Sequence, residues 1–293
     1  MKLVLTFLAV CMTYGLFGQV GSDQEEPVIQ TFRHTRVISS HSVETLPARK
    51  LDFRVVHRFG DLAGQSGGWT TFYGLERASD VSIGFEYGIT DNMMVGINRT
   101  AGVGPLKQNL NGLLKFKLMS QEKNGNAPFS LAVHGIGAYS TMQRSTIEGQ
   151  ITSFEKGSHR LAYHLGLNLA RKFSDAFSFQ LGTSWTYRNV VDVGDTNDIV
   201  AINAGARIQV TKAFGLIFDA TIPLLTSERM TTVEYTAPIG IGFEFDTSGG
   251  HVFQINVTNS RGISETDFIP YTSSRWEDGS YRLGFTISRL FSL

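Results

Sequence analysis

Cysteine is almost missing: Cys11 is the only one in 293 residues, so neither a disulfide framework nor thiolate chemistry is available beyond it. Lipid anchoring through Cys11 would need a small residue before it, and Val10 is bulky. Proline is scarce at 7, whereas glycine (31) and phenylalanine (21) are generous, a mixture that suits strands joined by turns and argues against disorder. Charge of one sign is lacking too. The 26 basic and 26 acidic residues cancel, which removes any electrostatic case for nucleic acid or for an acidic substrate. No long apolar run follows Phe17. A chain of this kind can enter a membrane only as a closed barrel, because lipid cannot satisfy the open edges of a sheet.

What is present begins at the amino end. Lys2 is followed by an apolar stretch from Leu3 to Phe17, too short to span a bilayer, and then by the small residue Gly18. Residues 1–18 are therefore expected to be a cleaved secretory signal peptide. Residues 19–50 are expected to form a periplasmic N-terminal segment or cap, and 51–293 an outer-membrane β-barrel.

The barrel expectation rests on a repeated period of two. In Val81 to Ile89, one face carries Val81, Ile83, Phe85, Tyr87 and Ile89, and the other Ser82, Gly84, Glu86 and Gly88. Leu161, Tyr163, Leu165, Leu167 and Leu169 likewise stand against Ala162, His164, Gly166 and Asn168. A soluble sandwich would expose a face rich in lysine and glutamate. Here the second face is glycine and small polar residues, which fits a barrel turned inside out, with its apolar face to lipid.

About twelve such segments predict an all-β, antiparallel transmembrane barrel: 51–59, 79–90, 92–100, 110–120, 128–139, 159–171, 176–188, 198–211, 213–222, 236–246, 251–259 and 280–291. Tight connections follow the even-numbered strands and long ones mainly the odd-numbered, the alternation of short periplasmic turns and longer external loops. That places both termini in the periplasm. Outward aromatics then form two girdles, with Tyr139, Tyr163, Trp185 and Tyr187 toward the external rim and Phe177, Phe214, Phe245, Phe253 and Phe291 toward the periplasmic one.

Several stretches resemble an outer-membrane β-barrel family of the Bacteroidota, known as a domain of unknown function. They are TRVISSHSVE (Thr35–Glu44), HRFG (His57–Gly60), FYGL (Phe72–Leu75), FEYGITDNMMVGI (Phe85–Ile97), GHVFQ (Gly250–Gln254), TNSRG (Thr258–Gly262) and YRLGFTISRLF (Tyr281–Phe291). The resemblance implies the fold and the outer membrane, without an established reaction or ligand. Its last stretch is similar to an assembly signal, which implies the barrel-assembly machinery as a partner beside outer-membrane lipid.

Parity puts Arg54, Arg58, Glu86, Lys115, Lys117, Arg188, Arg207, Asp219, Glu244 and Arg282 on the lumen wall. Twelve strands about 4.8 Å apart and tilted near 40° close at a radius of roughly 12 Å. Inward glycines such as Gly166, Gly205 and Gly240 would leave space inside. The function expected from this is a narrow passive pore for small polar solutes with a mild anion preference. The alternative is a closed barrel with a structural or surface-binding role, acting through outer loops such as 260–279 with Phe268, Tyr271 and Trp276. A remoter one is a lipid-facing hydrolase built on His57 and Ser79. Neither a cofactor nor catalytic residues are expected. The spacing of His34, His41 and His57 matches no metal motif, so no metal is expected either.

Overall fold

The computed structural model describes residues 28–77, 80–247 and 250–293, the side chains of Ser227 and Glu228 excepted. The proposed signal peptide lies outside these residues.

Where lipid surrounds a chain, every backbone N–H and C=O must find a partner within the protein, and the sheet meets this by closing on itself. Twelve antiparallel strands run in sequence order around one barrel. They are β1 (Lys50–Arg58), β2 (Asp80–Thr90), β3 (Met93–Ala101), β4 (Gln108–Met119), β5 (Ser130–Ser140) and β6 (Leu161–Lys172). The second half comprises β7 (Phe177–Arg188), β8 (Asp198–Gln209), β9 (Phe214–Leu224), β10 (Ile239–Asp246), β11 (His251–Thr258) and β12 (Arg282–Ser292). The seam is the β1–β12 ladder, in which Lys50 faces Ser292 and Arg58 faces Gly284. Each expected segment coincides with one strand. The largest difference is at β10, which starts at 239 rather than 236 because Pro238 lacks the N–H a ladder needs.

The faces sort as the period of two requires. Ile83, Leu165, Leu181 and Ile241 are exposed on the outer wall, whereas Glu86, Asn168, Gln180 and Glu244 are buried inside. Among the largest fully buried side chains are Arg58, Arg229 and Lys115, an inversion of the ordinary globular pattern. On the outer wall Trp185 stacks on Tyr187 near one rim, and Phe214 packs on Phe245 near the other.

One rim carries the short connections 91–92, 173–176, 210–213 and 247–250. The other carries the long ones 59–79, 141–160, 189–197, 225–238 and 259–281. The alternation breaks once, since 102–107 at the long-loop rim is shorter than 120–129 at the opposite rim. Two short helices lie in the long loops, α1 (Ser227–Thr232) and α2 (Glu265–Tyr271). No described helix is long and apolar enough to cross a membrane.

Arginine at Ile241, 57 % exposed on the outer wall, is expected to destabilise the barrel by about 2–4 kcal/mol in equilibrium urea unfolding from lipid vesicles. Arginine at Val193, in the long connection 189–197, should leave the midpoint unchanged.

Candidate functional site

The lumen of a twelve-stranded barrel is too wide for wall side chains alone to fill. Here the chain fills it with its own amino-terminal segment. Residues 31–46 are almost all buried, and they turn back on themselves as a hairpin. Arg36 bridges His41, the Ser42 amide donates to the Thr35 carbonyl, and the Val37 amide donates to the Ser40 carbonyl. The hairpin enters from the short-turn rim, where Arg49 leads into β1, and its tip points toward the long loops.

Its apolar side chains Phe32, Val37, Ile38 and Val43 cluster with Ala132, Ala170 and Ile217 of the wall. Leu46 joins Met94, Leu113 and Ile136 in a second cluster. Inward glycines give the hairpin its seat. A Cβ at Gly240 would lie 3.1 Å from Ile38, one at Gly205 would lie 3.2 Å from Val37, and one at Gly88 would meet the Pro47 carbonyl at 2.1 Å. The space expected to be open is occupied.

The charged wall residues grip the same segment. Asp219 on β9 accepts the backbone amides of Ser39 (3.0 Å) and Ser40 (2.8 Å), a weaker one from Ile38 (3.4 Å), and the Ser40 hydroxyl (2.7 Å). Successive amides converging on one carboxylate supply the solvation that burial removes. Arg54 donates to Asp52 (2.8 Å) and to the Thr35 hydroxyl (2.9 Å), which itself donates to Glu86 (2.7 Å). Lys115 donates to the Thr35 carbonyl at 3.1 Å, and Lys117 pairs with Glu44 at 2.6 Å. Arg58 reaches Ser39 Oγ at 2.7 Å and the carbonyls of Ser260 and Gly262. Arg207 pairs with Glu244, and Gln254 donates to the Val37 carbonyl.

The other mouth is capped by the loop after β11. Phe268 and Ile269 of α2 are buried against Ile199 and Ala201. Asp267 accepts the amides of Val103 (3.0 Å) and Gly104 (2.8 Å), which ties the cap to the connection 102–107. Burial raises its carboxyl above the usual range, with those two amides working against the rise. Arg188 holds Asp195 at 2.8 Å and the Tyr271 hydroxyl at 2.9 Å, while Arg282 donates to Ser274. Phe268 and Tyr271 thus face inward, away from the surface that loop 260–279 would offer a partner.

Plug and cap meet near the barrel axis, where Arg36 and His41 lie 3.0 and 3.6 Å from Glu265 Oε1. Among the described residues a void of about 30 Å³ lies beside Arg54 and Glu86 and one of about 20 Å³ beside Arg188, each near the size of a single water. At the short-turn rim two open recesses of about 740 and 460 Å³ border the hairpin at Gln30 and Arg33.

Sequence reasoning missed the wall histidines His134 and His164, whose rings lie 5.3 Å apart beside His41. Their parity within β5 and β6 was available, but the hairpin that meets them was not. Of the hydrolase pair, only His57 is among the described residues. His57 stacks on Phe285, Asp80 is buried and paired with Arg261 at 3.4 Å, and Ser79 lies outside what is described.

Comparison with known proteins matches residues 32–291 to the family model of a membrane bound beta barrel domain (DUF5777). Among solved structures, the NanC porin is similar with a TM-score of 0.50 at 7 % identity, over 83 % of this chain and 100 % of that one. An outer membrane channel (COG4313) from Pseudomonas putida F1 gives 0.48 at 11 %, over 87 % and 100 %. No curated protein matches the chain significantly.

Replacing Asp219 by Ala removes the acceptor of the hairpin tip. Hydrogen exchange at the amides of Ile38, Ser39 and Ser40 should accelerate by about tenfold or more, since bonds to a charged group contribute about 1.5–3 kcal/mol each. Strand amides of β9 should exchange as before.

Proposed function

The chain belongs to the membrane-bound β-barrel family, and from that premise we propose that it is a narrow passive channel of the outer membrane for small polar solutes, held shut in this conformation by its amino-terminal hairpin. The short-turn rim and both termini are taken to face the periplasm, in a Bacteroidota cell envelope. Barrel-assembly machinery would insert the chain, and outer-membrane lipid would surround it.

The observation that carries this reading is the chemistry between wall and hairpin. The wall presents Arg54, Lys115, Asn168, Gln180, Asp219 and Gln254, groups that water can solvate as well as the hairpin does. No disulfide pins the hairpin to the wall, because the single cysteine is Cys11. Withdrawal of the hairpin, with the cap swung aside, would leave a hydrated conduit on whose strands Arg54, Arg58, Lys115, Lys117, Arg188, Arg207 and Arg282 outnumber Asp52, Asp80, Glu86, Asp219 and Glu244. Lys117 would lose its partner Glu44, which adds to the preference for anions. The likeness to porins supports the fold on which this rests. The reading is non-enzymatic.

Deletion of residues 28–48 tests it. In planar bilayers the full-length protein is expected to be mostly silent, and the deletion variant to give reproducible, anion-biased steps whose amplitude grows with salt. A folded variant that lacks both residues 28–48 and the cap helix α2 and still stays silent would overturn the channel. Equal conductance of the full-length protein and the 28–48 deletion would overturn the plug.

A further inference from the structure

We propose that His41, His134 and Glu265 form a binding site for a divalent transition metal of the zinc type, placed where hairpin, wall and cap converge. The three residues come from three different parts of the chain and are 0, 3 and 2 % exposed. Their candidate donor atoms all lie within 4.8 Å of one another. Tetrahedral zinc with bonds near 2.0–2.1 Å needs donors about 3.4 Å apart. His41 Nε2 stands 3.6 Å from Glu265 Oε1, which brings that carboxylate beside the imidazole.

The second observation is the state of those atoms. Both ring nitrogens of His41, Nδ1 of His134 and Oε2 of Glu265 are buried without a hydrogen-bond partner. An unmade bond of this kind costs about 1–3 kcal/mol, and buried polar atoms in folded proteins are rarely left so. Here they gather in one place. Arg36 occupies Glu265 Oε1 and also faces Glu86 at 3.9 Å, while Lys115 is turned to the Thr35 carbonyl. Oε2 is left for a cation.

The surroundings hold the ligands in position. Asn168 and Gln180 donate to the His41 carbonyl at 2.7 and 2.8 Å, which fixes the backbone carrying that ring. Gly166 lies directly across from His134, and a Cβ there would come within 2.3 Å of the imidazole. Two imidazoles and a carboxylate are a ligand set that zinc accepts, with a fourth position for water. Bound there, the ion would pin the plug to the wall and to the cap at once. The site stands on this geometry whether or not the barrel conducts.

The test uses the full protein extracted from outer membranes into detergent, stripped with chelator and titrated with zinc chloride by calorimetry. One ion per chain is expected, together with a rise in unfolding temperature. His134→Ala and Glu265→Gln should each weaken binding by at least about tenfold. Glu265 lies in the cap rather than in a strand, so the Gln variant keeps the barrel intact if the wall substitution does not. His251→Ala, at the opposite rim, should bind as the unaltered protein does. Absence of binding, or binding that survives both ligand substitutions, would overturn the site.

Discussion

The structure depends on one constraint: a backbone in lipid cannot leave an N–H or C=O unpaired. Twelve strands satisfy it only when β12 returns to β1, and that ladder runs the full length of β1, from Lys50 opposite Ser292 to Arg58 opposite Gly284. Closure then fixes the circumference, and the circumference creates the next problem. At a radius of roughly 12 Å the wall side chains do not meet across the axis. The interior must be water, or it must be filled by other parts of the chain. The filling comes from both ends, as a hairpin through the short-turn rim and as a helix folded in from the longest stretch between late strands.

A filling of this kind has to satisfy polar groups on two surfaces. Burial of ions is tolerated only with partners, and the lumen supplies them within the wall, as in Arg54–Asp52 and Arg207–Glu244, and also between wall and plug. Asp219 illustrates the division, because its ligands are amides of the hairpin tip and not a neighbouring arginine. Thr35 does the same from the other side, since it accepts from Arg54, donates to Glu86 and offers its carbonyl to Lys115. Apolar contact is confined to patches. Met94, Leu113, Ile136 and Ile217 interrupt an otherwise polar face where Leu46 or the side chains of the hairpin lie over them.

Those interruptions bear on what could be read from the sequence. The barrel was legible because a period of two with one apolar face recurs twelve times, and each recurrence is a local property of a few residues. The occupied lumen was not legible in the same way. Arg54 and Asp219 could be assigned to the inner face by parity, but a face does not say what lies against it. Signals did exist in the pairs Met93–Met94 and Leu113–Leu114 and in the run Leu216–Ile217–Phe218, where apolar residues stand on both faces. An apolar side chain on a lumen wall implies a cover. The hairpin itself has no period to detect, because its Thr, Ser and His residues bond to six or more strands that are distant in sequence.

Opposing terms decide how firmly the hairpin is held. Each buried apolar side chain such as Phe32 or Ile38 contributes about 1.5–3 kcal/mol to staying in place. Each hairpin residue released regains about 1–2 kcal/mol of backbone freedom. The polar contacts add to that hold, a bond to Asn168 or Gln180 contributing a net of about 0.5–1.5 kcal/mol and one to the Asp219 carboxylate about 1.5–3 kcal/mol. Where terms of opposite sign compete, each further contact counts. His41 and Arg36 supply such a contact, for they are where the plug touches the cap through Glu265. A cap anchored by Asp267 to the connection 102–107 therefore bears directly on whether the hairpin stays, although it lies at the opposite mouth.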